Sequence, residues 1–247
     1  MRHVGCPLFL IALVAPLCLA PPCARAREVH DFNAAWRFAR GPQPGAEVPA
    51  FDDQAWAQVR LPHDWAIAGP YEPQGDPHTG KLPWRGEGWY RKTFVLPAGA
   101  ASHRVYLDFD GVMAKPKVYL NGHLAGGWDY GYQSFRIDAT DHVRAGETNL
   151  VSVHVDTRAH QSRWYPGAGI YRKVELVVAE LIHVAHWGTF VTTPEVSNAL
   201  AKTQVRTTVE NHLNQPATVD IETTLLSPRG RTVAVDRRTL RIESQVS

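Results

Sequence analysis

From Arg27 onward the chain alternates apolar and polar residues over runs of strand length, broken by Gly, Pro, Asn and Asp, and no stretch keeps a 3.6-residue hydrophobic period. The pattern predicts an all-β protein. Clear strands are expected at 88–96 (GWYRKTFVL), 103–111 (HRVYLDFDG), 115–122 (KPKVYLNG), 149–156 (NLVSVHVD) and 171–178 (YRKVELVV). Asn121-Gly122, set between two apolar runs, predicts a tight hairpin turn, because both residue types tolerate the positive φ angles that such turns require. Ala145-Gly146 marks a second turn. With long irregular connections at 40–52 and 68–87, the series suits a jelly-roll β-sandwich.

After Ala179 tryptophan nearly vanishes, Thr and Val become frequent, and four alternating segments follow: HWGTFVTT, TQVRTTVEN, ATVDIETTLL and TVAVDRRTLRI. They predict a second, immunoglobulin-like sandwich, a fold that takes roughly seven strands in about 100 residues. The expected organisation is a jelly-roll domain at 27–180 followed by an incomplete immunoglobulin-like sandwich at 181–247.

Ahead of these lie Arg2, an apolar run from Val4 to Ala20 and the small-residue site Ala24-Arg25-Ala26, which predict a signal peptide at 1–26 and a secreted or periplasmic protein. Pro7 and Pro16 interrupt the run and no stop-transfer pattern follows, so no membrane anchor is expected. All 3 cysteines (Cys6, Cys18 and Cys23) fall in this segment. The mature chain then has no disulfide, no cysteine nucleophile and no Cys-based zinc site, and must be stable through core burial alone. Removing Arg2 and Arg25 leaves 24 Lys+Arg against 24 Asp+Glu, a balance that favours neither nucleic acid nor an anionic membrane as partner. The exceptional residue is tryptophan, at 8 copies. Indole serves cores and sugar sites alike. Trp36, Trp56, Trp89, Trp128 and Trp187 are expected mainly in the core. His154 and His160 read as surface residues. The histidines are scattered without H-E-x-x-H spacing, and no glycine loop opens a helix, so no metal, nucleotide or other cofactor is expected.

Four phrases occur in an order and spacing that resemble the N-terminal part of glycoside hydrolase family 2: FDDQAWAQVRLPHDW (51–65), GWYRKTF (88–94), VYLNGHLAGGWDYGYQSF (118–135) and SRWYPGAGIYRKV (162–174). Pro-His-Asp-Trp, and Ser-Arg-Trp-Tyr before Gly-Ile-Tyr-Arg, are more similar to β-galactosidases than to β-glucuronidases or β-mannosidases. The resemblance implies a jelly-roll sugar-binding domain, an immunoglobulin-like domain, and a (β/α)8 barrel whose two glutamates hydrolyse the glycosidic bond with retention. These 247 residues stop within the second domain, so the chain alone is expected not to be catalytic. A retaining glycosidase needs two carboxyl groups about 5–5.5 Å apart. Asp52-Asp53 would point to opposite faces if extended, Asp108 and Asp110 read as an exposed strand face, and Glu72 with Asp76 lies in a loop. None supports independent hydrolysis. The expected role is to shape a sugar site for a β-galactosidase-like enzyme, with carbohydrate as ligand and the barrel as partner. Alternatives are a free-standing secreted carbohydrate-binding module, or a scaffold for a separately encoded barrel that would cover unpaired strand edges.

The loop SRWYPGAGIYR (162–172) carries the densest candidate chemistry. Gly167, Gly169 and Pro166 can shape it sharply. Arg163 can then offer a fork of donors to sugar hydroxyls, and Trp164 or Tyr165 a flat apolar face to the ring; packing across a domain boundary is the competing role. Ser162 reads as a turn residue, and Tyr171 and Arg172 as the start of a strand. His63 and Asp64 pose the same choice, Asp64 being able to accept two hydroxyl hydrogen bonds. Trp84 and Arg85, in the long polar loop 69–88, repeat the pairing of aromatic with arginine.

Overall fold

The computed structural model describes residues 26–245, so the expected signal peptide lies outside the described residues except for Ala26. The chain is all-β. Ten strands build a two-sheet sandwich: β1 (Arg27–Asp31), β2 (Trp36–Arg40), β3 (Ala57–Val59), β4 (Glu87–Val95), β5 (Arg104–Phe109), β6 (Lys117–Leu120), β7 (His123–Gly127), β8 (Phe135–Asp138), β9 (Thr148–Asp156) and β10 (Val174–Ala179). One sheet has the order β1-β10-β5-β8 and the other β3-β2-β4-β9-β6-β7. From β4 to β10 the chain crosses repeatedly from one sheet to the other, which is how a jelly roll closes its core.

Period-two alternation decides what that core contains. Val105, Leu107 and Phe109 of β5, Val151, Val153 and Val155 of β9, and Val118 and Leu120 of β6 meet between the sheets, with Trp36, Phe38 and Tyr90 at one end. The hairpin at Asn121-Gly122 forms with φ of 50° and 91°, joining β6 to β7. Strict alternation fails on β5 and β10, where Tyr106, Val177 and Ala179 are buried on the opposite face. The start of the next strand covers them: the His183 ring lies 5.9 Å from that of Tyr106.

That strand is β11 (Ile182–Val196), which pairs with β12 (Ala201–Asn211); β13 (Ala217–Leu226) pairs with β14 (Thr232–Ile242). These four strands form two separate hairpins, and their apolar positions Phe190, Val191, Val235 and Leu240 are exposed. Among the described residues no helix is long and apolar enough to cross a membrane.

Several expectations change. Trp36 and Trp89 are buried, but Trp128 and Trp187 are exposed and Trp56 is half-buried. Trp128 stacks parallel to Phe135, and Trp187 sits where β11 bulges away from β12, stacked on His186. His154 is half-buried between Trp89 and Glu87, whose carboxylate is 3.0 Å from its Nε2, and His160 is half-buried against Trp84. Asp108 is no bare surface carboxylate: it accepts two 2.7 Å bonds from Arg136. The strand expected from residue 171 begins only at Val174, because the preceding residues are held elsewhere.

Candidate functional site

The backbone of 168–170 is zipped between two other loops. The amides of His63 and Trp65 donate to the carbonyls of Ile170 and Ala168, at 2.8 and 3.0 Å, while Met113 and Gly169 exchange both amide–carbonyl bonds, at 2.9 and 2.8 Å. Three segments far apart in sequence thus share one short ladder. Gly169 makes it possible, with φ of 116° and a Cβ position that would run into Tyr90 Oη. Gly167, at φ 84°, allows the turn before it.

Side chains lock the same junction. Tyr165 donates its hydroxyl to Asp64, equidistant from both carboxylate oxygens at 2.8 Å, and Asp64 Oδ1 also accepts from the Ala66 amide at 3.0 Å. Burial, then the Asp64 carboxylate, push the Tyr165 hydroxyl far above its usual pKa, so it stays a donor. Asp64 is therefore occupied in organising the loop. His63 Nδ1 lies 2.8 Å from the hydroxyl of Tyr90, which burial also pushes well up and toward which the Ile170 amide points. Burial lowers the pKa of His63, opposed by Asp64, which favours the neutral ring. Trp84 is only 2% exposed and packs with Ala66 and Ala168 against Trp65 and Tyr165, so it offers no face to a ligand. Arg85 lies over the Trp84 ring at 4.7 Å and donates to the His160 carbonyl at 2.9 Å. His63, Asp64 and Trp84 thus pack or bond against the loop, whereas Arg85 is exposed and held to residues 158–160.

What remains for a ligand is a different subset. Trp164 is 58% exposed, its backbone turned by two bonds with the Ser162 hydroxyl and its Nε1 donating to Tyr132 Oη at 2.6 Å. Arg163 is exposed and makes no hydrogen bond or ion pair with the described residues. Tyr132 contacts Tyr130 edge to face at 5.7 Å, and Tyr130 is 60% exposed. Tyr171, which starts no strand, donates to the Gly131 carbonyl at 2.9 Å and ties the two loops together. The loop 128–132 was not expected to contribute. Its signal was present in Trp-Asp-Tyr-Gly-Tyr, where three aromatics in five residues follow the end of an apolar strand.

Residues 29–179 match the model of the sugar-binding domain of glycosyl hydrolases family 2. The chain belongs to that family. It is 40% identical to the β-galactosidase BoGH2A of Bacteroides ovatus over 223 residues, 89% of this chain and 26% of that protein. The crystal structure of a family 2 member from Bacteroides cellulosilyticus superposes with a TM-score of 0.83 at 33% identity, covering 87% of this chain and 29% of that one. Bacteroides uniformis β-glucuronidase superposes with a TM-score of 0.77 at 26% identity, over 88% of this chain and 26% of that one. The chain spans about a quarter of the length of the curated relatives it matches, and corresponds to their N-terminal, sugar-binding region.

Several carboxylates of this family 2 region are engaged by neighbouring groups. Asp53 is bound by Arg91 at 2.8 Å and Arg37 at 3.1 Å, and Asp52 Oδ1 accepts the Gln54 amide. Asp108 is taken by Arg136, Asp110 lies 3.8 Å from Lys173, and Asp76 accepts the His78 amide in a short 3-10 turn. The described residues contain strands and short 3-10 turns, with no (β/α)8 barrel.

Proposed function

We propose that this chain shapes the sugar site of an exported β-galactosidase-like glycosidase, its loops 128–132 and 162–170 forming one wall and a barrel supplying the two glutamates. One observation carries the proposal: Arg163 is unpaired and Trp164 exposed at the tip of a loop whose base is locked by Tyr165, Asp64 and Gly169. A rigid base holds the loop backbone and the Trp164 ring face in position and so lowers the cost of ordering on binding, as a sugar subsite requires. Export is supported by the apolar run 4–20 with its small-residue site, and by the lack of cysteine thereafter.

The unpaired Arg163 also favours a second reading, a sugar bearing a carboxylate, since guanidinium binds carboxylates bidentately. Titrating the chain with galactose and with glucuronic acid, followed by tryptophan fluorescence, separates the two. Galactose is expected to shift the emission in the millimolar range, and Trp164→Ala to abolish the shift. A response to glucuronic acid alone, lost in Arg163→Ala, would move the assignment to uronides. No response to either sugar would remove the proposed wall.

A further inference from the structure

The start of β11 and the end of β12 carry a cluster that the sugar site does not use. His183 and Glu210 are cross-strand partners, and His212 follows two residues later. His183 Nε2 and His212 Nε2 each lie 3.3 Å from Glu210 Oε2, and the two imidazole rings stack with centroids 5.5 Å apart. All three ligand atoms fall within 4.8 Å of one another.

His183 decides what this cluster can hold. Its side chain is 1% exposed, and Nδ1 lies 2.6 Å from the Glu180 carbonyl. A carbonyl only accepts, so Nδ1 carries the hydrogen and Nε2 is left with a lone pair. That Nε2 is buried without a hydrogen-bond partner, although it faces a carboxylate oxygen at 3.3 Å. Two acceptors facing each other in a buried place repel unless a cation lies between them. The nearby Arg136 is not available, being committed to Asp108.

We propose that His183, Glu210 and His212 bind a divalent transition-metal ion of the Zn2+ class. Two imidazole nitrogens and a carboxylate oxygen are the ligand types such an ion takes. With bonds of about 2.0–2.1 Å, a tetrahedron has edges of roughly 3.3 Å, which both Nε2–Oε2 separations meet. The bond from His183 Nδ1 to a backbone carbonyl is the arrangement that fixes a metal-binding tautomer. Glu210 and His212 side chains are 30% and 21% exposed, leaving an entry path and a fourth position for solvent. The ion would clasp β11 to the end of β12 just where His183 covers the outer face of the sandwich at Tyr106. The sequence signal is weak, since Glu-x-His and a distant histidine are joined only by strand register.

The test uses the full chain after chelator treatment. Titration with CoCl2 should show one equivalent bound, with the intensified visible absorption of a tetrahedral site, and ZnCl2 should displace it. ZnCl2 alone should raise Tm, increasingly with concentration. Glu210→Gln and His212→Ala lie at partly exposed positions and should lose both responses with an unchanged far-UV CD spectrum; His186→Ala, nearby but outside the cluster, should keep them. Absence of a tetrahedral cobalt spectrum, or binding in His212→Ala as in the parent chain, would overturn the site.

Discussion

Replacing Gly169 with alanine perturbs the point where three loops meet. Its φ of 116° lies outside what an L side chain adopts comfortably, and the new Cβ would run into Tyr90 Oη and lie 2.8 Å from the His63 carbonyl oxygen. Neither neighbour can retreat. Tyr90 is buried and bonded to His63, and the His63 backbone is itself bonded to Ile170. Unfavourable φ costs about 1–3 kcal/mol and overpacking about 1–3 kcal/mol, so a loss of about 3 kcal/mol or more is expected. That is a large share of the roughly 5–15 kcal/mol that holds a domain together. Urea unfolding followed by tryptophan fluorescence reads the loss as a lower midpoint at unchanged slope. Gly99→Ala is the control, because its Cβ would meet nothing within 4 Å. A Gly169→Ala midpoint equal to that of Gly99→Ala would show that the ladder among His63, Met113 and Gly169 does not hold the site in place.

Arg91 is 3% exposed and ties the loop before β3 to the sheet through Asp53, the carbonyls of Val48 and Phe51 at 3.1 and 3.3 Å, and the Ala46 carbonyl. Arg91→Met should cost about 3 kcal/mol and open residues 41–56 to limited proteolysis; resistance equal to the parent chain would refute the pinning. Tyr165→Phe removes a donor to a carboxylate and should lower stability by about 1.5–3 kcal/mol, measured by thermal unfolding. It should also weaken the sugar response, because Trp164 sits on the loop that Tyr165 anchors to Asp64. His63 has a folded pKa below its unfolded value because burial disfavours the cation. Its contribution is present above about pH 6.5 and is lost as pH falls from there through the lower folded pKa, since the unfolded chain takes the proton first. Burial pushes His160, His183 and His186 the same way, so the check is a difference: His63→Gln should flatten the fall in urea midpoint between pH 7.5 and 5.5, and an unchanged slope would contradict it.

The all-β architecture was legible because period-two alternation is a local property, and so was the Asn121-Gly122 turn, whose positive φ angles depend on those two residues alone. The division of labour within the site was not legible. Asp64 and Trp84 look like sugar contacts in a linear reading, yet one is consumed by Tyr165 and the other is buried under the loop. Trp128 has the apolar character of a core residue yet stands exposed, following directly on the end of β7 at Gly127 and stacked on Phe135. Asp108 gained its partner from β8, through the cross-strand register that puts Arg136 opposite it.

By itself the sequence determined the all-β character, the hairpin turn and the phrases that tie the chain to family 2, since each is written in residues close together. Only the tertiary structure decided which aromatic and charged groups are free. That depends on what a side chain meets from segments tens of residues away: Tyr165 finds Asp64 across 101 positions, and the Arg85 guanidinium reaches the His160 carbonyl across 75. Arg163 met no such partner and remains available to a ligand.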